Sequence, residues 1–129
     1  MHFKFYYFDF YGFYEKVSMY MEDHDMCPIE FTLSVVGKKW TLLILRELFI
    51  GRKRFTEIAS SLPISSKLLT DRLKELEEQG VVTRTLYPEI PPRVEYSLTE
   101  SGRTLESVLK ALRIWGAEHM EKQDIKCTK

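Results

Sequence analysis

At Gly80 the apolar period of this chain switches from helical to extended, and that switch constrains the fold more than any other feature. On its amino side Leu69, Leu73 and Leu76 recur at three- and four-residue spacing, which predicts a helix over residues 66–79 with one buried face and Gly80 as its cap. On its carboxyl side residues 81–87 are rich in β-branched side chains, and Val94, Tyr96 and Leu98 alternate with Arg93, Glu95 and Ser97. Between these runs lies Pro88-Glu89-Ile90-Pro91-Pro92, too proline-rich to pair as a central strand. A two-stranded hairpin therefore follows directly on a helix.

Upstream, the chain prepares that helix. Pro63 cannot extend a preceding helix, Ser65 suits an N-cap, and Ile64 with Leu69 occupies the positions of a hydrophobic staple. Two further helices are predicted before the turn. One spans residues 39–50 with Trp40, Leu43, Ile44 and Leu48 on one face, and the other spans 55–62 with Phe55, Ile58, Ala59 and Leu62. A short helix between Pro28 and Gly37 precedes them, and Thr99 is placed to cap a long last helix over residues 100–120. The expected fold is mainly α with a small β-hairpin, a winged helix-turn-helix flanked by terminal dimerisation helices. The last helix carries Leu105, Val108, Leu109, Leu112 and Trp115 as a continuous stripe. So long a stripe exceeds what a small winged-helix core can cover, so a second copy of the chain is its expected partner.

Length bounds the chain to one domain, since 129 residues fall within the usual domain size. The expected boundaries are an aromatic-rich extension over residues 1–26, the winged-helix domain over 27–120, and a polar tail over 121–129. Nine of the 17 aromatic residues fall in the first 14 positions, without the basic start and cleavage site of a secretory signal. That strip is an added element, a partner-binding surface, or translated upstream sequence with the natural start at Met19, Met21 or Met26. No apolar run is long enough to span a membrane. Two cysteines, Cys27 and Cys127, exclude a disulfide scaffold and point to a reducing, cytoplasmic setting.

Lysine plus arginine balance aspartate plus glutamate at 19 each, but the charges are not evenly spread. Residues 37–113 hold 14 basic and 10 acidic side chains, while residues 1–36 hold two and six. The body is therefore positive, as attraction to phosphate requires. On the predicted helix after the turn, Ser65, Ser66, Lys67, Thr70 and Lys74 lie away from the leucine face and near the amino end. Short hydroxyl and amine side chains there can enter a major groove and reach base edges and phosphates. Arg52, Lys53 and Arg54 form a basic cluster in a predicted loop, and Arg93 restarts the hairpin after two prolines. All four are candidate backbone anchors on double-stranded DNA. A solvated helix face and a solvated loop are the plain alternatives for the same residues.

Several strings then carry a family resemblance: Cys27-Pro28-Ile29-Glu30, Gly37-Lys38-Lys39-Trp40, Arg54-Phe55-Thr56-Glu57-Ile58 and Leu69-Thr70-Asp71-Arg72-Leu73, followed by the unbroken run from Tyr87 to Thr99 and by Trp115-Gly116. Over about residues 27–120 the chain closely resembles the HxlR-type winged-helix transcriptional regulators, relatives of the MarR group. The resemblance implies a homodimer joined through its terminal helices, bound to a pseudo-palindromic operator with Ser65, Ser66, Lys67, Thr70 and Lys74 in the major groove and Arg93 on the wing. One departure is visible: Pro63 meets Ile64 directly, where the family often places a glycine between them.

The resemblance also implies that Cys27 senses oxidants or electrophiles. A helix amino terminus favours an anion, whereas Asp23, Asp25 and Glu30 oppose one, and a small packing residue is the alternative. Cys127 could resolve Cys27, although nothing in the sequence joins them. His24 and Cys27 lack two further ligands, so no metal is expected, and no cofactor motif occurs. No nucleophile or paired-acid arrangement points to an enzyme. Two rival functions remain: a winged helix used as a protein-interaction module through the aromatic strip, and a DNA-binding regulator gated by a small molecule.

Overall fold

The computed structural model describes residues 27–126. The aromatic strip, His24 and Cys127 lie outside the described residues. The chain divides into two units, Met1–Lys38 and Lys39–Lys129. Of the first, the described part is α1 (Pro28–Val36), which begins with a proline free of any need to donate and carries Glu30 at its positive end. Gly37 closes it by donating to the Leu33 carbonyl at 2.8 Å.

The second unit opens with α2 (Thr41–Ile50), β1 (Lys53–Arg54), α3 (Phe55–Ser61) and α4 (Ser66–Glu78). The hairpin β2 (Val82–Tyr87) and β3 (Arg93–Leu98) follows, then α5 (Glu100–Arg103) and α6 (Glu106–Lys122). Three antiparallel strands form one sheet in the order β1-β3-β2. Ile44, Leu45 and Leu48 of α2, Ile58 of α3, and Leu69, Leu73 and Leu76 of α4 meet Val81, Val82 and Leu98 in the buried core. Burial of that set supplies the main driving force, about 1.5–3 kcal/mol per large side chain.

Local chemistry explains the borders. Across Pro63 the Ile64 amide donates to the Leu62 carbonyl at 2.8 Å, a γ-type turn that closes the two helices without the additional glycine of the family pattern. Ser65 then caps α4 by accepting from Leu68 N–H at 3.2 Å. At the far end Gly80 adopts φ +73, and the Gly80 and Val81 amides return to the Glu77 and Leu76 carbonyls at 3.1 and 2.9 Å. This is a Schellman closure, with glycine one position beyond the cap at Gln79. Thr99 ties that corner to the next helix: its hydroxyl donates to Gly80 O at 2.6 Å and accepts from Gly102 N–H at 3.0 Å.

Three expectations need correction. Trp40 does not continue the α2 stripe; it stands before the helix at φ 80, with the Lys39 ammonium 5.2 Å from its ring. The basic cluster is not all loop, because Lys53 and Arg54 pair with Tyr96 and Glu95 and turn the hairpin into a three-stranded sheet. The last helix is not continuous: it breaks at Thr104–Leu105 into α5 and α6. Just before that break Gly102 packs against the Val81 carbonyl so closely that a Cβ there would strike the oxygen. The short α5 is thus held to the sheet while α6 departs, and none of the residues of α6 is buried.

Candidate nucleic-acid interface

Helix α4 is seated by Leu69, Leu73 and Leu76, each exposed by 1% or less, and the opposite side faces solvent. Ser66, Lys67, Thr70, Asp71 and Lys74 are all exposed there, together with the cap residue Ser65. Thr70 donates its hydroxyl hydrogen to the Ser66 carbonyl at 2.8 Å, which leaves its oxygen lone pairs outward. Among the described residues no ion pair engages Lys67 or Lys74. Two ammonium groups and three hydroxyls thus occupy one rigid edge.

Arg72, on the same helix, points the other way. Its Nε donates to the Lys39 carbonyl at 3.2 Å and Nη1 lies 3.4 Å from Glu75 Oε1, so it braces α4 against the segment before α2. Sequence reasoning missed this role, although its position between Leu69 and Leu73 places it near the buried stripe.

Of the four expected backbone anchors, Lys53, Arg54 and Arg93 lie on the sheet and Arg52 directly precedes β1, and they differ in freedom. Arg54 and Arg52 are exposed; Arg52 donates from Nη1 to the Tyr87 hydroxyl at 3.0 Å. Lys53 is committed inward, with Nζ 2.8 Å from Oε2 of Glu47, a carboxylate only 5% exposed on α2. Arg46 approaches the other oxygen at 3.1 Å. The hydrogen bond from Lys53 holds the Glu47 carboxyl below the usual glutamate range, against the upward push of burial, and Arg46 adds to the lowering. Lys53, expected as a phosphate anchor, is thus drawn toward a buried acid instead of standing free.

Arg93 is likewise clasped within the wing. Its guanidinium lies 4.3 Å from the centre of the Tyr87 ring, 3.2 Å from Glu89 and 3.4 Å from Glu95. The closest approach to Glu95 is through Nε, which lacks hydrogen-bond alignment and has no other partner. Tyr87, which the sequence marks only as the start of the wing string, links Arg52 to Arg93 as one unit. Of the expected dimer residues, Leu112 and Trp115 are exposed and Leu105, Val108 and Leu109 half-buried, and Ile114 adds a further exposed apolar side chain. Cys27 is a half-buried free thiol at the start of α1.

A sheet-backed wing, a capped helix with an exposed basic edge, and a tight turn before it define a winged helix-turn-helix transcriptional regulator. The chain belongs to the HxlR-like helix-turn-helix family, whose pattern matches residues 35–124. It is 44% identical over 104 residues to the HTH-type transcriptional regulator YdeP of Bacillus subtilis (strain 168), covering 80% of this chain and 81% of that one. The redox regulator HypR in its reduced form superposes with a TM-score of 0.71 at 43% identity, covering 75% of this chain and 97% of HypR. Reduced YodB from B. subtilis gives 0.63 at 46% identity, covering 70% and 90%. HypR has also been solved oxidised and YodB after diamide treatment. Among the described residues no helix is long and apolar enough to cross a membrane.

Proposed function

We propose that this regulator works in the cytoplasm as a homodimer on a pseudo-palindromic duplex operator, reading it with Ser65, Ser66, Lys67, Thr70 and Lys74 and holding phosphates with Arg52, Arg54 and Arg93. The observation that carries this reading is the exposed lysine and hydroxyl edge of α4, where among the described residues no carboxylate engages Lys67 or Lys74. Dimer symmetry would set two such edges about one duplex turn apart, near 34 Å. Leu112, Ile114 and Trp115 on α6 support a second copy as the partner, since exposed apolar side chains on one long helix are the usual mark of a protein contact. Leu105, Val108 and Leu109 continue that stripe toward the helix start.

Control by oxidants or electrophiles through Cys27 is the second part of the proposal. It rests on the likeness to HypR and YodB and on a thiol that is partly accessible. The test is fluorescence anisotropy of the full chain on duplex DNA from immediately upstream of its own reading frame. Binding should be salt-dependent, and Lys67→Ala and Lys74→Ala should each flatten the log–log salt slope by about 0.9. Diamide should alter the affinity of the wild type and leave Cys27→Ser unmoved. Salt-insensitive binding, or none, overturns the operator reading and favours a protein-interaction module. Diamide-insensitive binding that still responds to a metabolite favours small-molecule control.

A further inference from the structure

The wing has two unlike faces. Along β2 and β3, Tyr87 pairs with Arg93, Leu86 with Val94 and Thr85 with Glu95. Side chains alternate across a strand, so Tyr87, Arg93 and Glu95 share one face, whereas Leu86 and Val94 continue the face that Val82 and Leu98 bury. That second face is turned toward α4, against which β2 packs. Beyond the core it stays apolar but loses its cover: Leu86 is exposed and Val94 half-buried. Ile90 stands at the apex, midway between the paired Tyr87 and Arg93. At 102% it is the most exposed large apolar side chain among the described residues.

The loop holds Ile90 firmly. Pro88, Pro91 and Pro92 each restrict φ, and the Glu89 amide donates to the Tyr87 carbonyl at 2.8 Å. The Glu89 carboxylate then reaches across the loop to Arg93 at 3.2 Å. Little conformational freedom is left to lose on contact. Nor does the tip offer free positive charge: residues 88–92 contain one acid and no base, and Arg93 is met by both Glu89 and Glu95. A lone exposed isoleucine is ordinary on a protein surface. One at the end of a braced, charge-compensated hairpin is placed for an apolar contact. The six residues of β2 carry the tip about 17 Å from the buried Val82, close to half of a duplex turn of about 34 Å. The hairpin is therefore long enough to reach from the groove that α4 would enter to the adjacent minor groove.

We propose that Ile90 is an apolar wedge that presses into the minor groove beside the half-site read by α4, with Leu86 and Val94 lying against the sugars on the same side. Such a contact carries no charge, so it selects sequence by groove shape. A groove floor free of guanine 2-amino groups admits the side chain more deeply, and a flexible base step yields to it at lower cost. Ile90 thereby sets a sequence preference outside the bases that α4 reads. This inference rests on the operator reading, and its test separates the two.

The test uses the full chain on duplex DNA from immediately upstream of its own reading frame. Hydroxyl-radical footprinting of the wild type first locates the protected minor-groove sugars beside each half-site. Anisotropy titrations then compare the wild type, Ile90→Leu and Ile90→Ser on that duplex and on one carrying diaminopurine for adenine at those positions. Diaminopurine adds a 2-amino group to the minor groove and leaves the major-groove edge unaltered. Ile90→Ser should bind at least about tenfold more weakly while keeping the salt slope of the wild type, because the lost contact is apolar and releases no counterions. Its melting temperature should match the wild type, since the side chain is fully exposed. Ile90→Leu should stay within about threefold of the wild type. Diaminopurine should weaken the wild type about tenfold and Ile90→Ser about twofold at most, a coupling that places the side chain at the altered groove. Wild-type affinity in Ile90→Ser overturns the proposal and leaves the tip to a protein contact. A diaminopurine penalty equal in the two proteins overturns it too, as does a salt slope that flattens along with the affinity. Lys67→Ala, run in parallel, reports on the operator reading alone. If it flattens the slope while Ile90→Ser changes nothing, only the wedge fails; if the wild type shows no salt-dependent duplex binding, both fail.

Discussion

Replacing Lys53 with methionine tests which of two jobs that residue performs. Methionine keeps the apolar stem packed and removes only the ammonium, which sits 2.8 Å from a Glu47 carboxylate that is 5% exposed. Breaking a buried pair by deleting one partner typically costs about 3–5 kcal/mol. Arg46 still reaches the other oxygen at 3.1 Å, but its side chain is 43% exposed and its attraction is screened, so it recovers only part of that loss. The expected destabilisation is about 2 kcal/mol, a fall in melting temperature of about 10 °C for a domain of this size. Urea titration should show a lower midpoint at an unchanged slope. Because the Glu47 carboxyl is held below its ordinary range in the fold, its stabilising contribution is complete above the unfolded value of about 4.3 and is lost as pH falls through the lower folded value. The wild type and Lys53→Met should therefore converge in strongly acidic solution. Adding Glu47→Gln to Lys53→Met should recover about 1 kcal/mol or more, a coupling that a double-mutant cycle reads directly. The salt slope of DNA binding should stay within error of the wild type. A stability loss below about 0.5 kcal/mol together with a slope flattened by about 0.9 refutes this reasoning and returns Lys53 to the phosphate backbone.

Two glycines should separate backbone strain from collision. Gly80→Ala meets open space at φ +73 and should cost about 1 kcal/mol in thermal unfolding, whereas Gly102→Ala drives its methyl into the Val81 carbonyl and should cost about 3 kcal/mol. Introducing Glu at Leu112 and Trp115, both exposed on α6, should leave the melting temperature of the chain nearly unchanged at high dilution, and in light scattering the wild type should run as the proposed dimer and the variant as a monomer. Glu89→Gln removes the carboxylate 3.2 Å from Arg93 and leaves only Glu95 and the Tyr87 ring against it, so duplex binding should steepen with salt by up to about 0.9 in log–log slope.

The parts of the fold that were legible in the sequence are those written in local chemistry. Ser65, Gly80 and Thr99 each satisfy or close a helix end with their own atoms, and their neighbours cannot substitute for that. The leucine stripe of α4 and the alternation around Val94 and Leu98 follow the same way from one face needing burial. Strand β1 was not legible, because two residues cannot show an alternation and Lys53-Arg54 has no apolar member. Its existence depends on β3 offering a free edge at Tyr96 and Glu95, forty residues further along. The break at Thr104–Leu105 was hidden for the same kind of reason: Leu105 continues the apolar stripe in sequence, so nothing local marks the interruption between α5 and α6.

Charge was the least legible quantity, and the candidate site suffers most from that. Counting gives residues 37–113 fourteen basic side chains, yet the fold assigns several of them internal work. Lys53 neutralises Glu47, Arg72 braces the Lys39 carbonyl, and Arg93 is held by Tyr87, Glu89 and Glu95. These are residues that a sequence scan treats as equal to Lys67 and Lys74, and in the basic strings around Arg52 and Arg93 they even look stronger. A polyanion responds to charges that are free to release its counterions, so a lysine already facing a buried carboxylate contributes to the field without contributing a contact. Affinity should therefore follow the exposed edge of α4 more closely than the density of basic residues along the chain. The wing would then act first as a braced support, its arginine reaching phosphate only if Glu89 yields.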